Sequence, residues 1–399
     1  MSLVGKIICA PMVVALLTCV RSVAGAAPGG GYDSEEGLSL QKLIEAGVPK
    51  NISEGLYVSA WAWGSYLNAS RATQRSNGDG QLSLDVTKSF GGRVAVTTEW
   101  SLFAADDHWR GELEQAFVSV LISEQAQTVV TLGKFHADIG AEPRDFWDRL
   151  TGTTSLLFSA EPQDLVGIML TQPLGETHVT LKPFVATGFE GLTDIRNAPA
   201  GGLMVQYRPK PELTLTLTNW VGPGYGESDW GNEEGAGSGG GGYGSGYGGY
   251  GAGGGTYGGA YGGLSAIENW LGPNLVSERG GVIYFVDGNV VWKPREDLTL
   301  AGEALSGTTR GAESATGWQG LLALASVDLT DQWRVFGRWS FLNDSSGIIT
   351  GAAQRRHELS AGLACQMTHN LELRGEYRHD FSNPQGDSDT VSVHFSLGY

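Results

Sequence analysis

From Leu56 to Tyr399 the chain runs as short segments whose apolar residues fall at every second position, joined by connections that alternate short and long. Period-two patterning predicts strands with one apolar and one polar face. The last segment is the clearest: Val391, Val393, Phe395, Leu397 and Tyr399 alternate with Ser392, His394, Ser396 and Gly398. Between 371 and 380, Leu371, Leu373, Gly375 and Tyr377 alternate with Glu372, Arg374, Glu376, Arg378 and Asp380. A strand with five charged side chains on one face needs water there, and its other face needs an apolar surround.

The pattern predicts sixteen strands, near 56–67, 81–89, 93–103, 113–122, 127–135, 164–173, 177–188, 201–208, 212–221, 281–292, 298–306, 318–328, 333–342, 357–367, 371–381 and 390–399. Several approach the ~9–11 residues that cross a bilayer at a tilt. Seven connections are tight and carry turn residues, such as Phe90-Gly91-Gly92 and Thr368-His369-Asn370. Eight are longer: 68–80, 104–112, 136–163, 189–200, 222–280, 307–317, 343–356 and 382–389. Strict alternation of this kind is the form of an outer-membrane barrel, with brief periplasmic turns and extended outer loops. A soluble sandwich has no reason to sort its loops by parity. The expected fold is therefore all-β: a transmembrane antiparallel β-barrel of about 16 strands over residues 56–399, with both ends periplasmic. Weak segments at 81–89 and 201–208 leave counts of 14 or 18 open.

The N-terminus reads as a targeting segment. Lys6 precedes a 14-residue apolar run, Ile7 to Val20, that is shorter than a membrane-spanning helix requires. Small residues at Val23-Ala24-Gly25-Ala26 suit a cleavage site, so 1–26 is expected to be a signal peptide, with Ala24 as the alternative cut. Residues 27–55 are then an N-terminal periplasmic segment. Within it, 38–47 (LSLQKLIEAG) has a short amphipathic helical pattern, placed in the periplasm or in the lumen. Cleavage removes Cys9 and Cys19, which leaves Cys365 without an intrachain disulfide partner. No later apolar run reaches 18 residues, so no transmembrane helix is expected. The net charge of −17, with 43 acidic against 26 basic residues, argues against nucleic acid as a partner. It argues equally against a polybasic membrane-surface protein.

The order of local motifs resembles bacterial outer-membrane porins, and more closely the putative β-barrel porin-2 (OmpL-like) family. Leu56-Tyr57-Val58-Ser59-Ala60 is similar to the family's opening strand. Gly133-Lys134-Phe135 with Gly140 and Glu142 resembles its "GKF…G…E" segment. Ser155-Leu156-Leu157-Phe158 with Glu161-Pro162 and Gly167 resembles a second stretch. Phe395, Leu397 and the terminal Tyr399 resemble the barrel-assembly signal of outer-membrane C-termini. The resemblance covers roughly 55–399; the Gly-rich insert at 222–263 departs from it. It implies a passive channel for small hydrophilic solutes or ions in the bacterial outer membrane. Membrane lipid and the barrel-assembly machinery are the implied partners, and a homotrimer stays open.

A barrel of about sixteen strands is wide enough for an aqueous lumen. The candidate inward charges are Arg93, Glu99, Lys182, Asp287, Glu303, Arg334, Arg338, Glu372, Arg374, Glu376, Arg378 and Asp380, six of each sign. They either hydrate the wall and pair across strands or set ion selectivity. The 136–163 connection follows the fifth strand and mixes charge with bulky aromatics. Glu142, Arg144, Asp145, Asp148 and Arg149 are the constriction candidates, on a short helix expected to begin at Pro143. The alternative is a loop that faces outward. Trp100, Trp220, Trp292, Trp318 and Trp333 sit near strand ends as candidates for an interface girdle, and Trp339 sits mid-strand.

The stretch 222–263 holds 22 Gly and six Tyr in 42 residues, too little apolar surface to offset chain entropy. It reads as a flexible spacer in an outer loop. A second function class rests on it: a surface adhesion or structural barrel in which that loop is the working part. No enzyme, cofactor or metal site is expected. The seven His lack metal-ligand spacing and no G-x-S-x-G elbow occurs. His379 and Asp380, adjacent on a strand, point to opposite faces.

Overall fold

Alternating side chains and short turns fold the chain into a single closed sheet. The computed structural model describes residues 56–69, 78–105, 108–187, 199–226, 280–310, 315–345, 347, 349, 353–383 and 386–398. The first eight strands are β1 (Leu56–Ala69), β2 (Gly78–Phe90), β3 (Val94–Ala105), β4 (His108–Ser123), β5 (Thr128–His136), β6 (Asp164–Pro173), β7 (Val179–Ala186) and β8 (Ala200–Lys210). The rest are β9 (Leu213–Gly226), β10 (Gly280–Arg295), β11 (Leu298–Arg310), β12 (Ala315–Asp328), β13 (Trp333–Asp344), β14 (Gln354–Thr368), β15 (Leu371–Asn383) and β16 (Ser388–Gly398). Every strand pairs antiparallel with its chain neighbours, and β1 closes on β16 with Trp61 opposite Gly398. Closure leaves no sheet edge unpaired, which lipid would not tolerate. The barrel of sixteen strands is the expected fold, and the two weak segments are full strands, β2 and β8.

Three connections expected to be long are not, 382–389 among them, which shrinks to residues 384–387. The 104–112 and 307–317 stretches shrink to residues 106–107 and 311–314, because β3, β4, β11 and β12 run on past their apolar stretches. Beyond the lipid band both faces of a strand meet water, so the alternation fades while the backbone ladder continues. The 1–26 signal peptide, the 27–55 segment with its helix, residues 227–279 of the Gly/Tyr-rich connection and Tyr399 lie outside the described residues.

Burial is inverted relative to a soluble protein. In β16, Val391, Val393 and Phe395 are exposed on the outer face, whereas Ser392, His394 and Ser396 are buried on the inner one. Leu132, Ile168, Leu217, Leu321 and Leu359 continue the exposed apolar surface around the barrel. An apolar surface of that extent matches hydrocarbon. Phe395 points outward, as does Leu397 by its parity. Trp100, Trp292, Trp333 and Trp339 are exposed outside. Trp220 and Trp318 correct the girdle expectation: both turn inward and are buried. Trp318 lies opposite Gly307, where an added Cβ would collide with the indole. The missing side chain makes room for a ring inside the wall.

Candidate functional site

The connection from 137 to 163 leaves β5 and returns in β6, with His136 opposite Asp164 in the ladder. Between those points it lies against inward-facing residues of most of the barrel. Its local structure is two 3-10 turns, Phe146–Asp148 and Phe158–Ala160, and not the helix expected from Pro143. The backbone carbonyls a longer helix would use are taken by side chains, those of Pro143 and Arg144 by Arg149 of the connection and later ones by the wall. Arg374 Nη1 donates to Phe146 O at 2.9 Å and to Thr151 O at 3.1 Å.

Arg338 on β13 is the hub of the charged side. Its side chain is wholly shielded from solvent. Nε donates to Glu358 Oε1 at 2.7 Å, and Nη1 donates to Glu142 Oε1 at 2.8 Å and Thr151 Oγ1 at 2.9 Å. Nη1 also bonds the Thr153 carbonyl, and Nη2 donates to Thr153 Oγ1 at 2.9 Å and Thr154 O at 3.1 Å. Glu376 on β15 accepts from the backbone N–H of Gly152 and of Thr153, each at 2.7 Å, and from Thr153 Oγ1 at 2.7 Å. Arg378 donates to Thr154 O at 2.7 Å and to both oxygens of Asp380, at 2.8 and 2.7 Å. Arg374 pairs with Glu372, and its guanidinium lies 4.6 Å from the centre of the Phe146 ring. Gly152 is needed for this approach, because a Cβ there would crowd His394 and the Glu376 carboxylate. Trp61 and Trp63 of β1 stack on Trp147 and Phe146 at 4.9 and 5.0 Å.

A second part of the inner wall, along β7 and β9 to β12, carries an apolar cluster. Phe184, Trp220, Phe285, Leu305, Trp318 and Leu322 form one buried cluster with Ile139, Leu156, Leu157 and Ala160 of the connection. Leu157 seats over Gly320, where an added Cβ would lie 2.8 Å from its Cγ. On those same strands β10 and β11, Asp287 Oδ1 accepts from Gly140 N at 3.3 Å and Glu303 Oε2 accepts from Ala141 N at 2.6 Å. Lys182 reaches Asp138 at 3.2 Å.

All but one of the twelve charges singled out from the pattern therefore sit at inward positions of strands. Arg93 is the correction. It belongs to the exposed 91–93 turn, where its Nη2 lies 2.8 Å from Glu124. Arg334 is inward but near the short-turn end, paired with Asp328 at 2.9 Å. Of the loop residues, Glu142 joins the Arg338 hub, and Arg144 bridges Glu114 and Asp164. Arg149 bonds the Pro143 carbonyl at 2.9 Å and covers the Phe158 ring at 4.9 Å. Asp145 and Asp148 border the first 3-10 turn. Pattern reading missed Glu358, Glu114, Trp61, Trp63 and the whole apolar side. Glu358 sits between His357 and an apolar run, which blurs the alternation there. Glu114 enters through a register shift of β4 opposite Glu99 and Trp100, which no spacing reveals.

Titration in the connection follows its neighbours. Burial would raise the Glu142 carboxyl, but Arg338 and the bonds from Ser155 hold it below its ordinary value. Burial pushes Arg149 down to about 10. Burial, then Glu99 and Asp148, push Asp145 well above the usual carboxylate range. Glu161 goes the same way, through burial and then Glu303 and Asp287. A carboxyl raised in the folded state holds a proton the unfolded chain has released. Its stabilisation is present below the ordinary carboxylate pKa and is lost as pH rises through the folded value. Glu161→Gln, which keeps a donor at every pH, is therefore expected to melt higher than the parent at about pH 8 and alike at about pH 4. Thermal unfolding of the detergent-folded protein checks this; a difference independent of pH would contradict it.

The sequence matches the family described as putative beta-barrel porin-2, OmpL-like, over residues 64–398. No curated protein sequence matches the chain. Among solved structures, Pseudomonas putida OprB is similar in fold, with a TM-score of 0.57 at 9% identity, covering 90% of this chain and 96% of its own. The outer membrane channel DcaP of Acinetobacter baumannii gives 0.56 at 8% identity, over 88% and 98%. An anion-selective porin from Comamonas acidovorans gives 0.54 at 12% identity, over 87% and 100%. On the family match, the chain belongs to the putative β-barrel porin-2, OmpL-like family.

Proposed function

We propose that this outer-membrane porin is a passive channel for small hydrophilic solutes or ions, narrowed by the 137–163 connection. The carrying observation is the set of buried bonds that tie this connection to Arg338, Arg374, Glu376 and Arg378 on the inner wall. Packed groups of both signs beside a narrowed path sort ions by charge and size, without chemistry and without a cofactor. The similarity to an anion-selective porin and to a channel protein supports transport as the activity. A trimer is reported for the similar OmpT of Vibrio cholerae, which favours a homotrimer here too. Export through a cleaved signal peptide and insertion by the barrel-assembly machinery, with Phe395, Leu397 and Tyr399 as its signal, complete the reading.

Planar-bilayer recording of the purified protein tests the proposal. Discrete conductance steps above the lipid baseline are expected. Their absence at any applied voltage, from protein shown to be folded, would refute channel function.

A further inference from the structure

Glu99, His136 and Asp145 converge where the connection leaves the barrel wall. Glu99 is inward on β3, His136 ends β5 and Asp145 opens the first 3-10 turn. One donor atom from each lies within 4.8 Å of the others, and Glu99 Oε2 is 3.7 Å from His136 Nε2. Donors about 2.1 Å from a tetrahedral ion stand about 3.4 Å apart, so small side-chain rotations bring the three onto one ion, with its fourth position left to water.

Two further observations point to a ligand. Glu99 is only 2% exposed, yet its Oε1 has no hydrogen-bond partner, and neither has His136 Nε2. Buried acceptors are rarely left unpaired, and an unpaired one costs about 1–3 kcal/mol. The neighbouring cations are also committed elsewhere. Arg144 bridges Glu114 and Asp164, and Lys134 lies 3.3 Å from Asp164 and donates to Leu113 O. Among the described residues, no lysine or arginine pairs with Glu99 or Asp145. The donors are themselves held in place: Gln115 Nε2 donates to Glu99 Oε2 at 2.7 Å, and Gln115 Oε1 accepts from the His136 backbone N–H at 3.2 Å. Such outer contacts orient ligands in metal sites.

We propose that Glu99, His136 and Asp145 bind a divalent transition-metal ion. One imidazole and two carboxylates suit zinc and its first-row neighbours better than calcium or magnesium. The ion would fasten the start of the connection to β3 and β5, on the side of the lumen away from the Arg338 hub.

The test uses the full chain folded in detergent, stripped with chelator and titrated with Zn²⁺ alone by calorimetry. Co²⁺ absorption serves as a second readout. One ion per chain is expected, and at least ten-fold weaker binding in Glu99→Gln and in His136→Asn. Both substitutions lie in a packed wall, so Asp145→Asn on the connection repeats the test, with strand circular dichroism confirming the fold. No uptake at one equivalent, or uptake unchanged in the three variants, would overturn the site. Uptake is read without any current, so its failure is separate from a failure of conduction.

Discussion

Replacing residues 138–162 by a tight turn is expected to leave a closed barrel that conducts several-fold more current than the parent protein. The register makes the graft feasible: His136 and Asp164 are opposite one another in the β5–β6 ladder, so a short turn spans them as in any hairpin. The barrel does not need the connection to close, because each strand is bonded to two neighbours through its backbone. What the deletion removes is the material packed against the charged and apolar parts of the inner wall. A cylinder of this strand number is wide enough to hold water once that is gone. It also uncovers Trp220, Trp318 and Leu322, so the shortened barrel should melt lower than the parent. Single-channel recording measures the gain. A shortened barrel that folds and conducts no better than the parent would remove the connection from the conduction path.

The strands were legible because lipid outside and polar groups inside impose opposite demands on successive residues. Leu373, Arg374 and Glu376 in β15 carry that demand plainly. Strand ends were not legible, since β11 continues through Gly307, Thr308 and Thr309, where neither face need be apolar. Parity alone also misplaced Trp220 and Trp318. An aromatic residue at a strand end reads as a girdle until its register against Gly307, or against the cluster around Leu157, is known. The same limit hid the apolar side of the lumen: Phe285, Leu305 and Leu322 are inward because leucines and an alanine of the connection cover them. The Glu99, His136 and Asp145 group draws on two strands and a loop separated in sequence, so no spacing rule finds it. Arg93 was misread because the alternation of β3 was extended one residue into its turn.

Arg338→Met is expected to free the connection while the barrel persists. The substitution keeps the length of the stem but removes the guanidinium that bonds Glu142, Glu358 and the Thr153 and Thr154 carbonyls together, leaving Arg378 beside Glu358 and the Thr154 carbonyl. Three carboxylates, those of Glu142, Glu358 and Glu376, then lie close together, buried and without the shared cation. Breaking a buried pair by removing one partner typically costs about 3–5 kcal/mol, far more than the net worth of the intact pair. The barrel ladder bears little of that loss, because Arg338 keeps its backbone register with Ser360 and Leu324. The cheapest relief is for the connection to lift Glu142 away. Protease cleavage within 137–163 and a rise in conductance should therefore appear together in this variant. Arg338→Met combined with Glu142→Gln removes one of the stranded charges, so it should recover part of the lost protection; a cycle over the four proteins isolates the pair's coupling. If the single variant resists protease and conducts like the parent, Arg338 is a wall residue that the connection does not depend on.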